Sequence, residues 1–162
     1  MARELLFYPN KILTTPCKKV EIFDENLRKL ADNMTSLMYQ LEGNGLAAPQ
    51  VGENIQLFVA ELGASHLLVA VNPTLELEGE MRTTLEGCLS LPSIEARLKC
   101  RHSQVTLTAQ DLEGREFIQT LIVRDAVVVQ HEVDHLAGIT LFQRMDPVQR
   151  RLSLKKYLKQ RK

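Results

Sequence analysis

The sequence predicts an α+β protein with a largely antiparallel sheet, on three observations. Apolar residues alternate through the middle of the chain, helical periodicity flanks that stretch on both sides, and neither an internal repeat nor a Pro/Gly/Ser linker divides it. The 162 residues suit one domain, large enough to bury roughly 70% of the surface its unfolded chain exposes.

The first helix is expected over 24–42, with Asp24 as its N-cap. Leu27, Leu30, Ala31, Met34, Leu37, Met38 and Leu41 recur at three- and four-residue spacing and form one apolar stripe. Gly43 stands where a C′ glycine ends a helix, and 43–52 reads as a glycine-bearing loop. Apolar runs at 56–60 and 67–71 and alternating stretches at 74–78, 105–112 and 117–122 read as strands, with Glu113-Gly114 turning between the last two. A second helix is expected over 125–137, with Asp125 as its cap and Gly138 as its stop. A third starts at Asp146, with Pro147 at N1 and Gln149 at N3 of a capping box, and carries Leu152, Tyr157 and Leu158.

Hydrophobic residues make up 44% and charged residues 25%, which excludes a disordered chain. Twenty basic and twenty acidic residues exclude a chain-wide nucleic-acid footprint. The neutral total is uneven. Seven basic residues and no acidic one lie in 150–162, which leaves 13 basic against 20 acidic residues, a net of −7, in 1–149. Cys17, Cys88 and Cys100 are too few and too odd for a disulfide framework, so a reducing compartment is the default. No run approaches the ~20 apolar residues of a membrane span. The N-terminus has neither the apolar stretch of a signal peptide nor the Arg/Ser richness of a transit peptide, so a cytoplasmic location is expected.

The chemistry concentrates in His131-Glu132-Val133-Asp134-His135. Residues four apart share a helix face, so both imidazoles can reach one metal ion. Glu132 sits about 100° round the helix, where it can reach a water on that ion and act as a base. A catalytic site needs a third protein ligand and an open position. Cys88 is one candidate, set among small and turn residues in Glu86-Gly87-Cys88-Leu89-Ser90-Leu91-Pro92; a buried core thiol is the other reading. The stretch Gly43-Asn44-Gly45-Leu46-Ala47-Ala48-Pro49-Gln50 is either a connecting loop or backbone held near a ligand, with Gln50 offering an amide N–H to an oxyanion. His66 and His102 read as surface residues, Cys17 as a loop thiol and Cys100 as a strand thiol.

Taken together, GNGLAAPQ at 43–50, EGCLSLP at 86–92 and QHEVDHLAG at 130–138 resemble the three motifs of peptide deformylases, in order and separation, and the resemblance covers nearly the whole chain. It implies an α+β fold with antiparallel or mixed β-sheets packed around a central metal-binding helix, a long N-terminal helix and a C-terminal helix. It implies a catalytic domain over 1–147, with 148–162 a basic helix of the same domain. It implies that Cys88, His131 and His135 hold one divalent metal ion with water in the fourth position. Fe²⁺ is then the native metal, and Zn²⁺, Ni²⁺ or Co²⁺ can occupy the site. Glu132 becomes the acid/base, and Gln50 and the Leu89 N–H polarise the substrate carbonyl. The implied reaction is hydrolytic removal of the formyl group from N-formylmethionyl peptides, releasing formate. An extended peptide near Gly43, Asn44, Gly45, Glu86 and Gly87, with Val127, Val128 and His131 around its methionine, completes the expected site.

Four residues depart from the family pattern. Asn44 stands where an aliphatic residue is usual, Arg124 and Asp125 where residues are often apolar, and Glu95 at a variable position. They lie near the expected groove, so they bear on fine substrate preference and not on the reaction. Two other readings compete. A zinc peptidase shares the helix geometry, but its third ligand is a His or Glu downstream, and no His or Glu follows His135. An idle binding protein on the ribosome would need a defect outside the motifs. The basic stretch at 150–162 is either a solvated helix face, favoured by the helix dipole, or an arm for RNA phosphates. Some family members dock on the ribosome through this helix. The chain is expected to be a monomer with no membrane partner.

Overall fold

The computed structural model describes residues 4–161. Five strands, β1 (Gly45–Ala47), β2 (Leu57–Leu62), β3 (His66–Gly87), β4 (Glu95–Gln110) and β5 (Glu116–Ile122), form one antiparallel sheet in the order β1-β2-β3-β4-β5. Helix α1 (Glu25–Gln40) precedes the sheet; α2 (Val123–Leu136), the short α3 (Leu141–Arg144) and α4 (Pro147–Gln160) follow it. The α+β class is as the sequence predicts. The sheet itself is antiparallel rather than mixed; the parallel bridge among the described residues, Lys18 to Ile55, lies outside it.

The position of α2 follows from β2. Successive strand residues face opposite ways, and β2 is apolar on both faces. Leu57 and Val59 pack with the α1 stripe of Leu27, Leu30, Ala31, Met34 and Met38. Phe58 and Ala60 pack with Ala126, Val129 and Leu136 of α2. The sheet is therefore covered on both sides, and α2 is enclosed by it. Burying Met34 and Met38 completely contributes roughly 1.5–3 kcal/mol each. A third cluster joins Leu91, Ile94, Ala96 and Leu98 to Leu141, Phe142, Met145 and Tyr157. There the rings of Tyr8, Phe142 and Tyr157 meet edge to face at 5.0, 5.9 and 6.0 Å, and the Tyr157 hydroxyl donates to the Tyr8 carbonyl at 2.8 Å.

Several element boundaries differ from the sequence reading. Asp24 caps α1 as expected, but the left-handed residue at its end is Glu42 (φ 55°), one position before Gly43. Glu42 N–H bonds Tyr39 O and Gly43 N–H bonds Met38 O, so Gly43 is the second residue beyond the cap in a Schellman motif. The 43–52 loop contains β1 and a 3₁₀ turn, Ala48–Val51. The strands expected at 67–71 and 74–78 are parts of one 22-residue strand, and β4 starts ten residues before the expected 105. Helix α2 begins at Val123 without a side-chain cap, because Asp125 accepts the Gly63 N–H instead. Gly138 (φ +73°) stops it, where a Cβ would lie 2.9 Å from the carbonyl carbons of Thr14 and Thr15. Asp146 caps α4 through Val148 and Gln149 N–H, yet Leu152 and Leu158 are exposed and Tyr157 alone of the three is buried. His102 is half-buried rather than on the surface, and Cys17 sits in the core, where burial pushes its thiol up to about 11.

Candidate metal centre

Helix α2 presents His131 and His135 one turn apart, and the turn after β3 brings Cys88 to them. That turn is held by Leu91 N–H on Cys88 O at 2.9 Å and Ile94 N–H on Leu91 O at 3.2 Å. Cys88 Sγ lies 3.3 Å from His135 Nε2, which lies 3.2 Å from His131 Nε2, and the three donor atoms fall within 4.8 Å of one another. A tetrahedral ion holding nitrogen at about 2.0–2.1 Å and sulfur at about 2.3 Å spaces its ligand atoms roughly 3.3–3.6 Å apart. The donor set therefore fits one divalent ion, with the third donor upstream of the helix rather than downstream as in the peptidase reading. Imidazole and thiolate donors suit zinc, iron and nickel better than calcium or magnesium.

The His131 imidazole is fixed from behind, whereas His135 Nδ1 is buried with no hydrogen-bond partner among the described residues. Glu86 is buried, and its Oε2 lies 3.1 Å from His131 Nδ1. Arg101 Nε and Nη2 donate to the two Glu86 oxygens at 2.9 Å each, and Thr84 adds a hydroxyl bond at 2.7 Å. Burial by itself would raise the Glu86 carboxyl; the His131 and Arg101 bonds outweigh it and hold it down at about 2. Burial likewise opposes charge on His131, but hydrogen bonds with Cys88 and Glu86 raise it well above the ordinary value. His135, held first by burial and then by its cationic neighbours, is lowered well below it. Arg101 Nη1 also donates to Asp134 at 2.6 Å, and Arg144 bonds the same carboxylate. Arg101 is 2% exposed, so this ion-pair network is interior.

Glu132 stands beside the donors. It is buried, its Oε2 has no hydrogen-bond partner among the described residues, and burial raises its pKa to about 7. Strand β1 runs directly against it: a Cβ on Gly45 would lie 2.7 Å from the Glu132 carboxyl carbon. Gln50 is oriented by its Oε1 accepting from Ala47 N at 2.9 Å; its Nε2 donates to Ser90 Oγ at 3.0 Å and lies 3.7 Å from Cys88 Sγ. The Leu89 N–H makes no hydrogen bond among the described residues.

These groups open into a cleft of about 1410 Å³. Gly43, Asn44, Gly45, Gln50, Glu86, Gly87, Cys88, Leu89, Val127, Val128, His131 and Glu132 line it, while His135 is buried behind them. The residues expected from the sequence to bind metal or substrate or to catalyse thus lie at or beside one cleft. Sequence reading missed Thr84, Ser90, Arg101, Asp134 and Arg144, which hold the others in place. Ser90 and Asp134 carried a signal, through their places in the Cys88 turn and the 131–135 motif; Thr84, Arg101 and Arg144 carried none.

A Cys/His/His donor set beside a buried carboxylate, on the floor of a cleft in an α+β fold, defines a metallohydrolase-type centre. The model of the polypeptide deformylase family matches residues 2–151, and the chain belongs to that family, whose known function is deformylation of N-formylmethionine. The peptide deformylase of Aquifex aeolicus is 37% identical over 165 residues, covering 98% of this chain and 96% of the relative. Peptide deformylase 1B, chloroplastic/mitochondrial, of Arabidopsis thaliana is 41% identical over 147 residues, covering 88% of this chain; this chain spans only 54% of that longer relative. The crystal structure of a peptide deformylase from Legionella pneumophila superposes with a TM-score of 0.92 at 33% identity, covering 99% of this chain and 96% of that one. The Synechococcus elongatus peptide deformylase, solved in complex with actinonin, gives 0.89 at 33% identity over 96% and 85%.

Proposed function

We propose that this chain hydrolyses the formyl group from N-formylmethionyl peptides, with one divalent ion at Cys88, His131 and His135 and Glu132 as acid/base. The observation that carries the assignment is the Glu132 carboxylate, buried and unpartnered at Oε2 on the cleft floor beside the donor set. A bound ion would supply a Lewis acid and lower the pKa of a water from about 15.7 towards 7. Glu132 takes the proton from the attacking water and delivers it to the departing amine nitrogen, a contribution of about 10²–10⁴ in rate. Gln50 Nε2 and the Leu89 N–H donate to the formyl oxygen as negative charge builds on it, and losing one such donor costs about 10²–10³. The bonds to Ala47 and Ser90 pre-orient Gln50 for this. Glu86 acts through His131, whose ring it holds, rather than on substrate.

The peptide lies extended along the free edge of β1, which pairs on one side only, with β2. Its main chain meets Gly43, Asn44 and Gly45 on one side and Gly87 on the other, and its methionine faces Val127, Val128 and His131. Fe²⁺ is the native ion, with Zn²⁺, Ni²⁺ or Co²⁺ able to replace it; the mixed thiolate and imidazole donors suit all four. The chain acts as a cytoplasmic monomer. Among the described residues no helix is long and apolar enough to cross a membrane. Helix α4 docks on ribosomal RNA through Arg150, Arg151, Lys155 and Lys159, all exposed.

Anaerobic formate release from formyl-Met-Ala-Ser, with metal content measured on the same sample, tests the assignment. One ion per chain with formate released is expected; fully loaded protein that releases none overturns it.

A further inference from the structure

Three of the four departures from the family pattern, Asn44, Arg124 and Asp125, meet at one place. Arg124 Nη2 donates to Asn44 Oδ1 at 2.8 Å, and Nη1 reaches the Glu61 carbonyl at 3.4 Å. The guanidinium is thereby braced between the start of α2 and the segment before β1, and both Arg124 and Asn44 line the cleft. Nη1 also donates to Asp125 Oδ1 at 3.3 Å in an ion pair, an acceptor shared because both Asp125 oxygens accept from Gly63 N–H at 3.1 Å. Arg124 is 51% exposed at its side chain, and its Nε–H has no partner among the described residues.

Arg124 and His131 are seven positions apart in α2 and so share a face, separated by about 10 Å along the axis. Extended peptide covers about 3.3 Å per residue. A chain whose formyl group reacts beside His131 therefore brings roughly its third residue level with Arg124. We propose that Arg124, braced by Asn44, is a specificity residue that favours peptides with a carboxylate side chain near the third position. The inference rests on the deformylase reading above. Glu42, Glu80 and Glu95 also line the cleft, so the preference is local and depends on where along the peptide the charge falls. An exposed ion pair is a modest interaction, and a braced guanidinium forms it with less loss of side-chain freedom.

The test compares C-terminally amidated formyl-Met-Ala-Glu and formyl-Met-Ala-Lys, with formyl-Met-Ala-Ser as neutral reference. The Glu peptide should have a kcat/KM about two- to fivefold above the Lys peptide, carried by KM and diminished at about 1 M salt. Arg124→Ala should bring the ratio to about one, and Arg124→Glu should invert it. Binding of deformylated Met-Ala-Glu-amide and Met-Ala-Lys-amide, measured by calorimetry, should show the same order without needing turnover. A wild-type ratio of one, or a ratio unchanged in Arg124→Glu, overturns the inference. Failure of the deformylase reading shows separately, as no formate from the neutral peptide.

Discussion

Helices α2 and α4 have the same length, 14 residues, and opposite surroundings. α2 buries Ala126, Val129, Gln130, Glu132, Asp134, His135 and Leu136, four of them polar; α4 buries Tyr157. A helix that brings chemistry into a core needs partners for the polar groups it buries, and the α2 atoms left without one among the described residues, Glu132 Oε2 and His135 Nδ1, belong to the site. Gln130 accepts from His102 N at 3.0 Å and donates to His102 O and Ala126 O at 2.9 Å. Asp134 takes two guanidinium groups, and His131 leans on Glu86. α4 keeps its cations in water, so one aromatic anchor and the Asp146 cap suffice. Position in the chain and helix length say nothing of this difference; the density of buried polar partners does.

Breaking the interior network should have the largest effect. Arg101→Leu leaves the Glu86 and Asp134 carboxylates buried with one cation fewer, and should lower unfolding stability by about 3–5 kcal/mol in urea titrations. Removing one member of such a network costs more than the network's net worth, so a loss under about 1 kcal/mol would show that these charges are hydrated in the folded protein.

Acid should act on the same network, more gradually. The folded Glu86 carboxyl is held at about 2, below its unfolded value of about 4.3. Its stabilisation is therefore present above about pH 4.3 and is lost as pH falls towards 2. Urea midpoints of the metal-free protein between pH 5 and 3 should fall more steeply for wild type than for Glu86→Gln. Equal slopes would remove Glu86 from the account of acid sensitivity.

The smallest effect on stability belongs to α4. Changing Arg150, Arg151, Lys155 and Lys159 to Gln should leave stability within about 0.5 kcal/mol. It should weaken ribosome binding and flatten its salt dependence. Truncation before Arg150 would be a poorer test, because it removes Tyr157 from the third core cluster. Unchanged ribosome affinity would leave α4 as a solvated helix face.

The same contrast explains what could be read in advance. α1 and α4 announce themselves through Asp24, Asp146 and Pro147, because caps are local chemistry. The His-Glu-x-x-His spacing is local too. The long strands are not. β3 and β4 shift register between Val71 and Thr74, Glu78 and Met81, and Arg82 and Thr84. The buried side of β4 accordingly switches from Ala96 and Leu98 to Arg101, Val105, Leu107 and Ala109, so no single period-2 pattern spans it. Arg101 reads as one polar residue in a polar run, and only the fold shows that Glu86 and Asp134 enclose it. β1 is three residues at a sheet edge beside two glycines, and its identity as a strand comes from pairing with β2. Asp125 has the chemistry of a cap, but the distant Gly63 N–H claims it.

The role of Glu132 is the most direct test of the site. Glu132→Ala removes a carboxylate that is adjacent to the donor set without belonging to it. The variant should bind one divalent ion per chain and lose at least about 10²-fold in formate release from formyl-Met-Ala-Ser. Near-full turnover by a fully loaded Glu132→Ala protein would contradict the assignment of Glu132 as the acid/base.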